Sequence, residues 1–462
     1  MKYKSGLFLF HRDFRLKDNI GLLEASKLCE HVYTAFIFTP EQVSRSNDFK
    51  SKNSVQFMIQ SLEDLEDDLK KHGGKLIIQY GSYETVLRNL LKTLSIECLF
   101  FNYDLTPYAR QRTRKAEELC NALNVDCVYS HDYYLHEPGA IMTGNDTMYH
   151  KFTPYYEKAL VEKEIDTPNN RRITNFAERR TDFDHSITLK EAMEKFVGKE
   201  NPFLHVIGGR ALGKKQLTNA LKSLGDYAKT RDIMSIETSS LSAYIKFGCV
   251  SIREVYERFA RKYGKFHELV RQLIWRDFYA HLLYFYPQSL GQLHSEKMKE
   301  LDWSKSRSRL EAWKRGETGV PLVDAGMRQM NETGYMHNRV RMLVATYLTK
   351  ILHINWLEGE KYFAQKLVDY DVASNSGNWQ AVVGGGVYAM PWFRVMSPWA
   401  QSEQYDPDCI YIKTWVEELA NLEPKIIHKW YKYCKTSEYN NIYKCPIVEY
   451  KEEKAVFMKM MS

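Results

Sequence analysis

The apolar and polar positions of this chain fall into two textures. Up to about residue 135, short apolar runs alternate with amphipathic stretches. GLFLF (6–10), VYTAFIF (32–38), KLIIQYG (75–81) and ECLFFNY (97–103) are apolar blocks of strand length, the pattern of strands buried on both faces of a parallel sheet. Between them, SVQFMIQSLEDLEDDLKKHGG (54–74), YETVLRNLLKTL (83–94) and, after Pro107, YARQRTRKAEELCNAL (108–123) carry helical periodicity, the first ending in charge and a Gly-Gly stop. This alternation predicts a doubly wound, Rossmann-like α/β domain over residues 1–135, with ligands expected beyond the carboxyl ends of its strands. Its first turn reads FHRDFRLKDN and lacks G-x-G-x-x-G, which argues against an NAD-dependent dehydrogenase.

Residues 136–195, with PNNRR and ERRTDFDH, are polar and irregular and predict an interdomain linker over the surface. From 196 to 462 the texture becomes long helical periods, as in SIREVYERFARKYG (251–264), RMLVATYLTKIL (341–352) and DCIYIKTWVEELANL (408–422), and predicts an all-α domain. All nine tryptophans lie in this part. Core building explains any one of them, while their segregation hints at a flat aromatic ligand or electron traffic.

No apolar run is long enough to span a bilayer, and the start, MKYKSGLFLFHRDFRL, breaks into charge too soon for a secretion signal. A soluble intracellular protein, cytoplasmic or nuclear, is expected. Eight cysteines without a C-x-x-C pair predict reduced thiols and no metal site. The net charge of +7 permits an acidic partner such as nucleic acid without requiring one.

Among the motifs, GGRALGKK (208–215) approaches a phosphate loop but ends in Lys215 where a hydroxyl should hold magnesium, so a turn into a helix is expected. His131 and His136 have no metal-ligand frame around them. In TSSLSAYIKFG (238–248), Thr238, Ser239 or Ser240 is placed to cap a helix, and free N–H groups at such a cap also suit a diphosphate. DYDVASNSGNWQ (369–380) sets Asp369 and Asp371 beside Asn375 and Trp379. Paired acids suggest hydrolysis or metal binding, yet no nucleophile or metal set stands nearby.

HRDFRLKDN (11–19), TSSLS (238–242), QLIWRDFYAHL (272–282), GVPLVDAGMRQMNETGYMHNRVRM (319–342) and DYDVASNSGNWQ occur in this order. Together they resemble the photolyase/cryptochrome flavoprotein family over essentially the whole chain, and MHNRVRM is most similar to class I photolyases of cyclobutane pyrimidine dimers. The resemblance implies an α/β antenna domain and a helical domain holding FAD, a monomer acting on UV-damaged DNA, and electron transfer from light-excited, reduced FAD to a flipped-out dimer. It implies that Tyr227, Thr238, Ser239, Ser240, Leu241 and Ser242 hold the FAD phosphates and ribityl chain. Arg341, Asp369, Tyr370, Asp371 and Asn375 would line the ring, with Asp369 paired to Arg341, and Trp379, Trp356 and Trp303 would form an electron-transfer wire. Gln272, Trp275, Asn338 and Met342 would meet the dimer, and Arg231, Arg276, Arg339 and Gln401 the DNA around it.

Three positions depart from the class I pattern. Gln272 stands where a glutamate is usual, Ala381 replaces a tryptophan wall of the lesion pocket, and Tyr108 replaces a folate-binding glutamate. The second chromophore is therefore open between deazaflavin, flavin and folate. The alternative function is a cryptochrome-type blue-light receptor without repair activity.

Overall fold

The computed structural model describes residues 1–177 and 183–461; ERRTD (178–182), part of the expected linker, lies outside the described residues. Five parallel strands, β1 (Tyr3–Phe10), β2 (Cys29–Phe38), β3 (Leu76–Tyr80), β4 (Cys98–Asn102) and β5 (Asp126–Ser130), form one sheet in the order β3-β2-β1-β4-β5. The four apolar blocks are its first four strands in sequence order, β1 to β4, with β3 at one edge. The fifth, DCVYS at the other edge, is half-exposed and carries no apolar block to announce it.

Alternation along the strands divides the core. Leu7, Leu9, Leu99 and Phe101 face one way, into a cluster with helices Tyr83–Thr93 and Pro107–Leu123. Phe8, Phe10, Phe36 and Phe38 face the other way, into a larger cluster that runs on into Tyr244, Phe247 and Phe278 of the helical half. Sheet and helical domain thus share one core. The seam also holds buried ion pairs: Arg15 with Asp132, and Arg253 with both Asp18 and Asp132. Gly248 makes this close approach possible: it sits at φ +62°, and a Cβ there would lie 2.5 Å from the Arg12 carbonyl oxygen.

The helical half is built mainly from Glu268–Phe285, Asn338–Lys350, Trp356–Lys366 and Val372–Val383, around a core containing Trp313, Leu343, Trp356 and Trp379. No helix among the described residues is long and apolar enough to cross a membrane. GGRALGKK is the expected turn, running through Gly209 into helix Arg210–Ser223.

Several expectations need correction. Residues 136–195 do not merely cover the surface: helix Phe152–Glu157 and the turn after it bury Phe152, Tyr155, Ala159 and Leu160 against Glu268–Phe285. Its few aromatic residues anchor an otherwise polar segment. DCIYIKTWVEELANL is not one helix, because the chain leaves helical geometry at the fully buried Val416 and resumes as a short turn at Glu417–Leu419. Thr238, Ser239 and Ser240 cap nothing, since the helix begins at Ser242 behind Leu241 and the hydroxyls of Thr238 and Ser240 bond instead to Tyr335, His205 and Glu237. Finally, the thiols are not all reduced: Cys434 and Cys445 are joined in a disulfide, because the turns between them bring their Cα atoms within 5.4 Å.

Candidate active site

DYDVASNSGNWQ enters helix Val372–Val383 through Asp371, whose carboxylate caps it by accepting from the Ser374 N–H at 3.0 Å. The other Asp371 oxygen binds Arg12 at 3.0 Å, in the first turn of the α/β domain, and Arg12 also reaches Asp104 and the Tyr134 hydroxyl at 3.0 Å. Burial alone would raise the Asp371 pKa, but the charges of Arg12 and Arg276 and the capping bonds pull it down to about 2. Two residues earlier, Asp369 takes both arms of Arg341 at 3.2 and 3.0 Å and accepts from Ser242 at 2.7 Å. Burial pushes this carboxyl up, and the Arg341 charge and hydrogen bonds more than reverse it, holding it below the usual carboxylate range.

These residues border a cavity of about 560 Å³, counted to its open mouth. Asn338, Arg341, Met342, Asp369, Tyr370, Asp371, Asn375 and Trp379 line it, with Phe363, Leu367 and Val382 as apolar wall. Asn375 is held from behind: its Nδ2 donates to the Glu360 carbonyl at 3.2 Å and the Glu360 carboxylate at 3.1 Å. An acceptor-only carboxylate fixes which end of the amide it meets, so Asn375 turns its carbonyl oxygen away from Glu360.

Trp379 is almost fully buried and leans on helix Trp356–Lys366 at Gly359, where a Cβ would lie 2.1 Å from its ring. Trp356 lies one turn earlier on that helix. The Ser304 N–H to His353 carbonyl bond, 2.7 Å, ties the segment of Trp303 to the start of the same helix. The rings paired with Trp379 are Phe363 at 5.0 Å and Trp313 at 6.3 Å.

Outside the cavity a string of polar groups connects residues far apart in sequence. Gln272 donates to Glu268 at 2.9 Å, and Glu268 pairs with Arg231. Arg231 approaches Asp232 at 3.9 Å; Asp232 binds Arg339 at 2.6 Å, and Arg339 reaches Gln401 at 3.3 Å. Trp275, one turn after Gln272, has one face covered by Phe152, with ring centroids 3.5 Å apart and planes within 5°. Tyr388 lies edge-on to Trp275 at 5.5 Å. Arg276 is turned inward, donating to the Tyr133 carbonyl and lying over the Tyr134 ring at 4.6 Å.

Two family models match: the FAD binding domain of DNA photolyase over residues 269–462, and DNA photolyase over residues 6–172. A deoxyribodipyrimidine photo-lyase of Alkalihalophilus pseudofirmus is 33% identical, over 95% of this chain and 92% of the relative. The chain belongs to the DNA photolyase family. Its fold matches the archaeal photolyase of Sulfolobus tokodaii, solved with two FAD molecules, at TM-score 0.88 and 36% identity over 99% of each chain. It also matches the cryptochrome of Synechocystis at TM-score 0.88 and 26% identity, over 100% of each chain.

Against this photolyase frame the cavity gathers eight of the expected residues, while Gln272, Arg231, Arg339 and Gln401 sit together on the polar string and Trp275 lies one turn along the helix from Gln272. Tyr227 is half-buried near Arg231, and Thr238 and Ser242 connect to Tyr335 and Asp369. The sequence reading missed Arg12, Glu360, Glu268 and Asp232. HRDFRLKDN did contain Arg12, and the i, i+4 spacing of Glu268 and Gln272 was a usable signal; nothing local marked Glu360 or Asp232.

Proposed function

We propose that this chain is a light-driven deoxyribodipyrimidine photo-lyase that splits cyclobutane pyrimidine dimers in UV-damaged DNA. The observation that carries the reading is the Arg341–Asp369 pair beside the aimed Asn375 amide and Trp379, in one cavity, within a chain that matches both photolyase family models. The donor set suits FAD: apolar walls for a flat ring, a fixed guanidinium–carboxylate pair at its edge, and a carbonyl oxygen matched to the N–H of a reduced flavin. When bound and reduced, FAD supplies light absorption and the one electron whose transfer opens the cyclobutane ring and whose return leaves no net redox change. The protein's part is to hold charge and geometry still. Arg341 balances Asp369, Asn375 presents an acceptor, and Asn338 and Met342 give the cavity a polar and an apolar side toward the extruded bases. A dimer is poorly stacked, so its extrusion costs less than that of a normal base. Tyr227 and the 238–242 segment are assigned to the FAD phosphates and ribityl chain.

A second, small cleft lies at the carboxyl ends of β1 and β2, lined by His11, Thr39, Tyr83, Tyr108 and Arg112 among others. Both His11 ring nitrogens, the Tyr83 hydroxyl and Arg112 Nε are buried there without partners. Such orphaned groups support an aromatic antenna chromophore in the α/β domain. The two FAD molecules of the Sulfolobus tokodaii protein favour a second flavin over deazaflavin or folate.

The deciding experiment counts thymines restored in dimer-containing DNA by reduced protein, with and without blue light. Light-dependent restoration is expected. Its absence, with normal flavin photoreduction, would favour the receptor reading that the Synechocystis cryptochrome keeps open. In the same assay Gln272→Glu should raise repair per absorbed photon. A carboxyl group there, protonated or strongly hydrogen-bonded, would stabilise the negative charge arriving on the thymine carbonyls better than the amide does. A lower yield would mean that the pocket is organised around the amide.

Binding to damaged DNA should weaken steeply with salt, since Arg231 and Arg339 are assigned to phosphates. Arg339→Ala is expected to reduce the salt slope by about 1 while leaving lesion preference intact. Loss of preference at an unchanged slope would move Arg339 to base reading.

A further inference from the structure

Glu268 belongs to neither the cavity nor the sequence motifs, yet it touches both kinds of DNA-facing residue. One carboxylate oxygen receives Gln272 Nε2 at 2.9 Å and also meets Arg231. Because a carboxylate only accepts, it decides the orientation of the Gln272 amide: the NH₂ end faces Glu268, and the carbonyl oxygen faces away. Among the described residues that Gln272 oxygen has no hydrogen-bond partner. Gln272 lies one turn from Trp275 on the same helix and is half-buried.

We propose that Glu268 is a positioning residue for lesion recognition, holding Gln272 so that the damaged base meets a hydrogen-bond acceptor. The proposal rests on the assignment of Gln272 to the dimer made above. The matching chemistry on the ligand is the imide N–H of thymine, a donor that both halves of a thymine dimer retain. An amide free to turn over would meet that N–H with its own NH₂ half the time and would lose selectivity. Glu268 has a second effect that can be separated from the first: it neutralises Arg231 and so restrains attraction for undamaged DNA. A plainer role is also available to an acid in the first turn of a helix, stabilising the helix dipole, and that role makes no use of Gln272.

The test is a double-mutant cycle read as lesion preference, the ratio of Kd for undamaged to dimer-containing oligonucleotide, measured in the dark by fluorescence anisotropy. Glu268→Leu should lower the preference at least about five-fold in the wild-type background and leave it unchanged in Gln272→Ala, a coupling typical of residues in contact. Glu268→Gln keeps an acceptor within reach without the charge. It should retain most of the preference while, like Glu268→Leu, binding undamaged DNA more tightly. FAD content and circular dichroism identify any variant that has misfolded, and Glu268→Gln, nearly isosteric, keeps the test open if Glu268→Leu does. Equal loss in the wild-type and Gln272→Ala backgrounds, or Glu268→Gln behaving as Glu268→Leu, would overturn the proposal by assigning the effect to Arg231 charge or to the helix. If Gln272→Ala itself left lesion preference unchanged, the assignment of Gln272 would fall first, and the role of Glu268 with it.

Discussion

Replacing Arg341 with methionine is expected to strip FAD from the protein and to lower its unfolding free energy by about 3–5 kcal/mol, the cost of leaving a buried charge without its partner. The side chain of Asp369 is only 6% exposed, and apart from Ser242 its hydrogen bonds come from the two arms of Arg341. The pH dependence carries the signature. In the wild type the depressed carboxyl contributes stability above the unfolded carboxylate pKa of about 4 and loses it as pH falls through the lower folded value. Without Arg341, burial instead raises that carboxyl, so the deficit relative to wild type is full at neutral pH and shrinks on acidification. Urea melts at several pH values, with flavin absorbance after gel filtration, check both parts. A variant that keeps its flavin and shows a pH-independent deficit would remove the pair from the centre of the site.

Trp379→Phe should slow light-driven reduction of the bound flavin roughly 100-fold, since an added barrier of about 3 kcal/mol for oxidising a benzene ring is enough. Folding should survive, because phenylalanine keeps an aromatic face against Gly359 and Phe363. The onward route is the sharper question. Trp313 is fully buried, with its ring 6.3 Å from that of Trp379 and its indole N–H committed to the Val344 carbonyl at 3.0 Å. A radical there would have no path to water for its proton, whereas Trp303 is half-buried near the surface. Trp356→Phe should therefore block photoreduction and Trp313→Phe should spare it. Transient absorption on the two variants decides, and the reverse pattern would redirect the wire through Trp313.

The strands were legible because burial on both faces leaves an unbroken apolar block; β5, exposed on one side, wrote no such signal. Asp369, Asn375 and Trp379 were legible because they crowd one short segment. Their partners were legible only in part. The family resemblance paired Arg341 with Asp369, 28 positions apart, but Arg12 meets Asp371 across 359 positions, a distance at which only folding decides who pairs with whom. The same limit hid the Cys434–Cys445 bridge and the inward turn of Arg276, whose guanidinium the motif alone would send to solvent. Hydroxyls misled for a different reason: Thr238 and Ser240 look like helix caps in isolation, but tertiary partners claim them first.

The seam around Arg12 bears on how this protein can be engineered. Asp371, which starts the helix bearing Asn375 and Trp379, is answered by an arginine encoded near the amino terminus, and Arg253 by Asp18 and Asp132, from the two ends of the α/β part of the chain. The halves are therefore not exchangeable cassettes. A chimera that grafts another α/β domain onto residues 196–462 would leave Asp371 and Arg253 as stranded buried charges unless the donor brings counterparts of Arg12, Asp18 and Asp132. Those three positions are the ones to transplant first.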